Sequence, residues 1–381
     1  MTKTIGFVKE QKAGEARVAL VPETAQKIID LGWQVLMEPD AGEAAGFPND
    51  SYPELTQIAK RRVDVLNGAD VVVGVNALDD TDLAELRDDA VVIGMVSPYA
   101  NQQRFVQAAK QGVTVFSMEL IPRTTRAQAM DVLSSQASVA GYKAVLLAAT
   151  EAPRFFPMLT TAAGTIRPAS VLVIGAGVAG LQAMATARRL GANVTGYDVR
   201  PETVEQVKSL GAKFLDLGVS AVGEGGYARA LTDEEKQQQQ DNLKQHLSSV
   251  NVLITTAAVP GRPAPRIITA DMVNEMKAGS VIVDLAAEGG GNCEPTEAGQ
   301  TKMVNGVKVI GPVNLSATVP LHASEMYSRN VWNLLSLMND DGDFVLNWED
   351  DILAGCAVTR DKQVVHPSVK EGLENSSGEQ S

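Results

Sequence analysis

The chain is poor in cysteine, in histidine and in positive charge. Its 381 residues include only Cys293 and Cys356 and three histidines, His246, His322 and His366. Two thiols are too few for a disulfide framework or a cysteine-rich metal site, and they suit a reducing compartment. No clustered metal ligands, no P-loop and no nucleophile elbow appear, so no metal site is expected. Lys and Arg number 33 against 46 Asp and Glu, a formal net charge of -13. Such a field repels nucleic-acid backbones and anionic headgroups, which leaves proteins and small molecules as partners. Lys3, Lys9 and Glu10 lie near the start with no apolar run behind them, so a signal peptide is not expected and the protein reads as cytoplasmic. One uncharged stretch, Pro168 to Ala187, reaches the length of a membrane span, but its glycines and Gln182 argue against that reading.

What the chain does have is apolar content and alternation. At 45% hydrophobic it can bury two sizeable cores. Strand-like runs at Thr4 to Val8, Gln34 to Glu38, Asp70 to Val75, Ala90 to Val96 and Val113 to Glu119 alternate with helix-like segments such as Pro22 to Leu31 and Gln102 to Gln111. A second series follows: Ser170 to Ile174, Asn193 to Tyr197, Ala212 to Leu215, Asn251 to Thr256, Ser280 to Leu285 and Lys308 to Ile310. Many are unbroken Val, Ile and Leu runs, as parallel strands covered on both faces require. The pattern predicts an α/β protein with two Rossmann-like, doubly wound parallel-sheet domains joined by long helices. We expect a discontinuous first domain, 1–126 plus 318–381, a nucleotide-binding domain over 140–312, and connecting helices over 126–143 and 320–338. The polar tail from Lys370 onward is expected to fray.

Val171 to Asp198 is the most informative stretch. Four apolar residues lead into Gly175-Ala176-Gly177-Val178-Ala179-Gly180, then a helical segment, a second strand and an acid. Gly175 allows the tight turn, Gly177 lets backbone approach a pyrophosphate, and Gly180 lets the helix pack on the strand. The phosphates then meet a helix N-terminus, whose unpaired N–H groups favour anions. Asp198 falls about 20 residues beyond, where a carboxylate binds ribose hydroxyls and repels a 2′-phosphate, so NAD(H) is favoured over NADP(H). A second loop, Gly218 to Leu231, carries four glycines and one aromatic, Tyr227, before an acidic helix starting near Asp233. It reads either as a surface connection or as a lid whose Tyr227 reaches a bound nucleotide.

Catalytic groups to match this site are scarce. A dehydrogenase acting on a hydroxy or amino acid moves a proton as well as a hydride, and needs a positioned acid or base. The three histidines sit in a Gln-rich segment, at a helix start and beside Pro367, where each reads as structural or exposed. In their place, Glu119 to Tyr142 packs Arg123, Arg126, Gln128, Asp131, Ser134 and Ser135 into a short span. The plain reading is a helix start with Thr125 as N-cap and a solvated face.

The sequence resembles the NAD(H)-binding domain of proton-translocating NAD(P) transhydrogenases, the separate first portion of the alpha subunit. The likeness runs from Lys9-Glu10 and Glu15-Ala16-Arg17-Val18-Ala19 through the connector, the glycine loop and the Tyr227 loop. It continues through Thr255-Thr256-Ala257, Pro260-Gly261-Arg262-Pro263-Ala264-Pro265, Val283-Asp284-Leu285-Ala286 and Gly290-Gly291-Asn292-Cys293. The resemblance implies that Arg123, Gln128, Asp131 and Ser134 orient the dihydronicotinamide, with Gln128 facing the partner's nucleotide. It implies that backbone around Ala176, Gly177 and Val178 holds the pyrophosphate, and that Asp198, Val199 and Arg200 serve the adenosine side. Gly226 and Tyr227 become the mobile lid, and Gln239 and Ala258 further contacts, Gln239 resting on a glutamine run that aligns in several registers.

The related alanine dehydrogenases are the rival. They resemble this chain at Arg17, which in them binds the substrate carboxylate, but they carry a Lys in the strand that here reads Val72-Val73-Gly74-Val75. They also carry a His in or just after the strand Val91 to Val96. Here Gly74, and Met95, Ser97 and Pro98, supply no cation, and Glu288 stands where they have an Asp. Losing such groups costs about 10²- to 10⁴-fold each, so alanine oxidation is not expected. Hydride exchange between NADH and NADP⁺ protonates no substrate atom and needs only alignment of two C4 atoms within about 3 to 3.5 Å. The resemblance implies NADP(H) on a partner domain or beta subunit, a membrane-spanning subunit that couples proton movement, a homodimer, and a cytoplasmic location peripheral to the inner membrane. A non-catalytic NAD sensor is the reading from another class.

Overall fold

The computed structural model describes residues 3–100, 102–222, 229–259 and 261–378. The chain forms two compact units, Met1–Gln136 with Ala317–Ser381, and Ala137–Ser316. Strands β1 (Thr4–Phe7), β2 (Gln34–Met37), β3 (Gln57–Ile58), β4 (Val71–Asn76), β5 (Val91–Met95) and β6 (Thr114–Ser117) build the first sheet. The second holds β7 (Ser170–Ile174), β8 (Asn193–Tyr197), β9 (Lys213–Phe214), β10 (Val252–Thr255), β11 (Val281–Asp284), β12 (Thr301–Val304) and β13 (Val307–Ile310). The chain then returns to the first sheet with β14 (Ala357–Arg360) and β15 (Gln363–Val364).

The sheet orders are β15-β14-β6-β5-β4-β1-β2-β3 and β9-β8-β7-β10-β11-β13-β12. In each, the first strand sits inside the sheet and the chain winds outward to both sides. The C-terminal ends of β1 and β7 are therefore topological switch points. The expected α/β class and both Rossmann-like sheets are present, with one difference. Strands β12, β14 and β15 pair antiparallel at the edges. They are short and carry Lys302, Arg360 and Gln363, so they lack the apolar run that marks a parallel core strand.

Those runs are explained by which face each residue meets. In the first unit Val71 and Val73 pack into one buried cluster while Val72 packs into another. In the second, Val171 and Val173 face one cluster and Leu172 and Ile174 the opposite one. Helices α1 (Pro22–Asp30), α2 (Gln103–Lys110) and α3 (Val132–Glu151) follow in chain order, α3 starting in the first unit and ending in the second. Next come α4 (Val178–Arg189) and α5 (Asp233–Leu247), the latter opened by a capping box from Thr232 and Glu235. Helix α6 (Pro320–Ser336) buries Tyr327, Val331, Leu334 and Leu335 in the core of the first unit.

The tail differs from expectation. Instead of fraying from Lys370, residues Pro367–Gly378 form helix α7, because Pro367 presets its first turn and Val369 is fully buried.

Gly180 is the tightest point of the second unit. A Cβ there would lie 1.7 Å from the Gly175 carbonyl oxygen, whereas one at Gly177 would meet nothing within 4 Å. Gly180→Ala is expected to destabilise the protein by about 1–3 kcal/mol in urea denaturation, because backbone must move to admit the methyl. Gly177→Ala should cost under about 1 kcal/mol. Equal losses would contradict this packing.

Candidate functional site

The nucleotide-type loop leaves β7 at the switch point and enters α4. Gly175 has φ +95°, and a Cβ on it would lie 2.4 Å from Thr256 Oγ1. Thr256 Oγ1 in turn lies 3.2 and 3.1 Å from the carbonyl oxygens of Ile174 and Gly175, tying the end of β10 to the turn. Gly177 is the N-cap of α4, extended in conformation, with no side chain capping the helix. Bare backbone thus faces open space beside the first N–H groups of a twelve-residue helix. That arrangement fits a diphosphate, which needs close backbone approach and uncapped donors.

Asp198 follows β8 and is nearly buried. Its Oδ2 accepts the Ala176 N–H at 2.7 Å, and its Oδ1 accepts the Arg200 N–H at 2.9 Å. The Arg200 guanidinium closes on the same carboxylate, Nε to Oδ1 at 2.9 Å and Nη2 to Oδ2 at 2.7 Å. Burial works to raise the Asp198 pKa, but the hydrogen bonds from Arg200 and Ala176 hold it below the ordinary carboxylate value. Val199 follows, its carbonyl accepting the Ala221 N–H at 2.7 Å. The structure thus brings Asp198, Arg200 and Ala176 together.

The remaining residues fall in several places. Gln239 is buried on α5 and donates Nε2 to the Tyr197 hydroxyl at 2.8 Å, which joins the helix to β8. Ala258 is exposed in the loop after β10. Gly226 and Tyr227 lie outside the described residues. In the first unit, Arg123 is exposed in a loop and Gln128 opens a single 3₁₀ turn, Gln128–Met130, with its side chain exposed. Asp131 and Ser134 are bonded to each other: Asp131 Oδ1 accepts the Ser134 N–H at 2.9 Å and Oδ2 accepts its hydroxyl at 2.6 Å. Asp131, not Thr125, therefore caps α3, because the 3₁₀ turn delays the helix to Val132.

A buried polar network went unassigned in the sequence. Arg17, 4% exposed, donates Nε and Nη2 to Glu15 at 2.8 and 2.7 Å and Nη1 to Gln136 Oε1 at 2.8 Å. Asn76 Nδ2 donates to Glu15 at 3.0 Å and to Glu10 at 2.9 Å. Gly74 offers only its carbonyl, which accepts the Tyr327 hydroxyl at 2.6 Å. Burial raises the pKa values of Glu10 and Glu119, while Glu15, against the same burial penalty, is held at about 2 by Arg17. A cleft of about 400 Å³ beside these strand ends includes Arg62, but that cation already donates to Asp82 and Glu38. Asn292 is also unassigned. Its side chain accepts the Ala257 N–H at 2.9 Å and donates to the carbonyls of Ala257 and Pro265 at 2.7 and 2.9 Å, which fixes the loop after β10. Asn292 and Glu15 stood inside recognisable motifs, but only their distant partners give them a job.

Known proteins share this architecture. The family model described as alanine dehydrogenase/PNT, N-terminal domain, matches residues 6–140, and the one for the C-terminal domain matches residues 144–367. The chain belongs to the alanine dehydrogenase/PNT family. It is 42% identical over 377 residues to the first of the separately encoded portions of NAD(P) transhydrogenase subunit alpha from Rhodospirillum rubrum, covering 96% of this chain and 98% of that protein. The crystal structure of transhydrogenase from Sinorhizobium meliloti superposes with a TM-score of 0.87 at 43% identity, covering 95% of this chain and 100% of that one. Alanine dehydrogenase 1 of Staphylococcus aureus is more distant, 26% identical over 297 residues, or 76% of this chain and 74% of that protein. Within the family the chain thus stands with the transhydrogenase components. Among the described residues, no helix is long and apolar enough to cross a membrane.

The Arg17–Glu15 pair gives this unit a pH signature. Glu15 titrates at about 2 in the folded protein against an ordinary value of 4.5, so its contribution is complete above about pH 4.5 and is lost as pH falls toward 2. Glu15→Gln leaves Arg17 buried without its carboxylate and is expected to cost about 3–5 kcal/mol in urea denaturation at pH 7. The gap to the parent should narrow steadily below pH 4.5. A gap that is the same at pH 3 and pH 7 would show that the charge on Glu15 contributes nothing.

Proposed function

We propose that this chain is the NAD(H)-binding subunit of a proton-translocating transhydrogenase, passing hydride directly to or from NADP(H) held on a partner domain. One observation carries the reading: a nucleotide-type loop is intact while the groups that would handle a substrate proton are missing or committed elsewhere. Gly74 presents a carbonyl already bonded to Tyr327, and Arg17 is held by Glu15 and Gln136. His246 and His366 are partly buried on peripheral helical segments, and His322 is exposed on α6. An enzyme that reduces a keto acid has nothing here to protonate it with.

Bound NADH supplies a hydride that its counterpart on the partner accepts. The residues of this chain then have a positional task. Gly175, Gly177, Val178 and Gly180 give the diphosphate bare backbone and a helix N-terminus, and Asp198, Val199 and Arg200 meet the adenosine side. Gln239 and Ala258 lie toward the same nucleotide, and Gly226 and Tyr227 close over it. Arg123, Gln128, Asp131 and Ser134 orient the nicotinamide, with the Asp131–Ser134 bond holding that segment in one conformation. Proton movement belongs to a separate membrane-spanning component, which keeps this subunit at the cytoplasmic face of the inner membrane.

A homodimer is part of the proposal. The hairpin of Leu159–Thr161 and Gly164–Ile166 stands exposed, with Met158 65%, Phe155 52% and Ile166 46% accessible. An isolated two-stranded hairpin is marginal in water, and covering by a second copy would bury those side chains.

The test is stopped-flow mixing of the protein and NADH with an NADP⁺-loaded partner domain. Rapid exchange is expected. Turnover of pyruvate and ammonia would instead make the chain an amino-acid dehydrogenase, and neither reaction would leave a nucleotide sensor. Gln128→Asn shortens the side chain by one methylene and should slow exchange at least about tenfold while NADH affinity changes less than about twofold. Equal losses in rate and affinity would contradict its geometric role.

A further inference from the structure

The contacts around Asp198 point beyond ribose recognition. Four N–H groups converge on this one carboxylate: the amides of Ala176 and Arg200, and Nε and Nη2 of Arg200. The guanidinium therefore lies where Asp198 would meet the ribose, in a position only 16% exposed. An arginine at the end of the second strand of such a fold is also the residue type that accepts a 2′-phosphate, through the same forked donors.

We propose that Arg200 is a dormant 2′-phosphate-binding residue, and that Asp198 keeps this chain selective for NAD(H) by occupying it. This inference rests on the nucleotide reading of the Gly175 loop. Asp198 acts in two ways. Its charge repels the phosphate, and its two oxygens take up the donors that would otherwise bind it. The choice between dinucleotides then depends on one negative charge and not on the shape of the pocket. That suits the proposed reaction, since a subunit that also bound NADP(H) would compete with its own partner for that nucleotide. The lowered pKa of Asp198 agrees, because the pairing keeps the carboxylate ionised.

The experiment is fluorescence titration of NADH and NADPH into the full-length protein and four variants, each first checked by thermal melting. Asp198→Asn keeps an oxygen for the Ala176 N–H but removes the charge, and Asp198→Ala removes both. Each should bind NADPH about ten- to a hundredfold more tightly than the parent, the range of one charge-assisted hydrogen bond, while NADH weakens. Adding Arg200→Gln to Asp198→Asn should erase the NADPH gain, and Arg200→Gln alone should produce none. NADPH affinity unchanged in both Asp198 variants, or a gain that survives Arg200→Gln, would overturn the proposal. If the parent protein does not bind NADH at all, the nucleotide reading itself falls, and this inference falls with it.

Discussion

The closest approach in the second unit is between a carbonyl and a glycine. Gly175 turns the chain at the end of β7 with φ +95°, and its oxygen leaves no room for a side chain at Gly180. That contact seats the first turn of α4 against the strand end and leaves Gly177 exposed between them. Everything proposed for the nucleotide follows from it, because uncapped N–H groups bind an anion only if backbone comes near enough to touch it. The neighbouring clamps serve the same end. Thr256 ties β10 to the turn, Asp198 holds the Ala176 amide, and Asn292 fixes the loop that follows β10.

The first unit shows the opposite situation, a place where a substrate could once be handled and where side chains now bind one another. Arg17, Glu15, Gln136, Asn76 and Glu10 form a continuous buried network. A charged group buried with partners is inert toward ligands unless a ligand competes with them, and Glu15 competes well, being ionised far below neutral pH. Retaining the arginine while removing the proton-handling groups is consistent with a relative of amino-acid dehydrogenases whose reactant is another protein's nucleotide.

Much of this was legible in the sequence, for a physical reason. Runs such as Val71-Val72-Val73 and Val171-Leu172-Val173 mark strands covered on both faces, and the glycine spacing marks the turn that only glycine allows. Edge strands β12, β14 and β15 escaped notice because two to four mixed residues carry no periodicity. So did the start of α7, which depends on one buried valine. Asp198 was legible from its distance to the loop, but its clamp on Ala176 was not, since nothing in the order of residues says which donor a carboxylate will choose. The network around Arg17 was hidden for the same reason: its partners lie 66, 119 and 253 positions apart along the chain.

The central claim is that hydride passes between two nucleotides with no proton taken from water. It is tested most directly by following deuterium from NADH labelled at the transferring C4 position, with the NADP⁺-loaded partner domain, in ordinary water. The account predicts that the label appears undiluted in NADPH and that no deuterium enters the solvent. Loss of label to water, or NADPH formed with solvent hydrogen at C4, would contradict it.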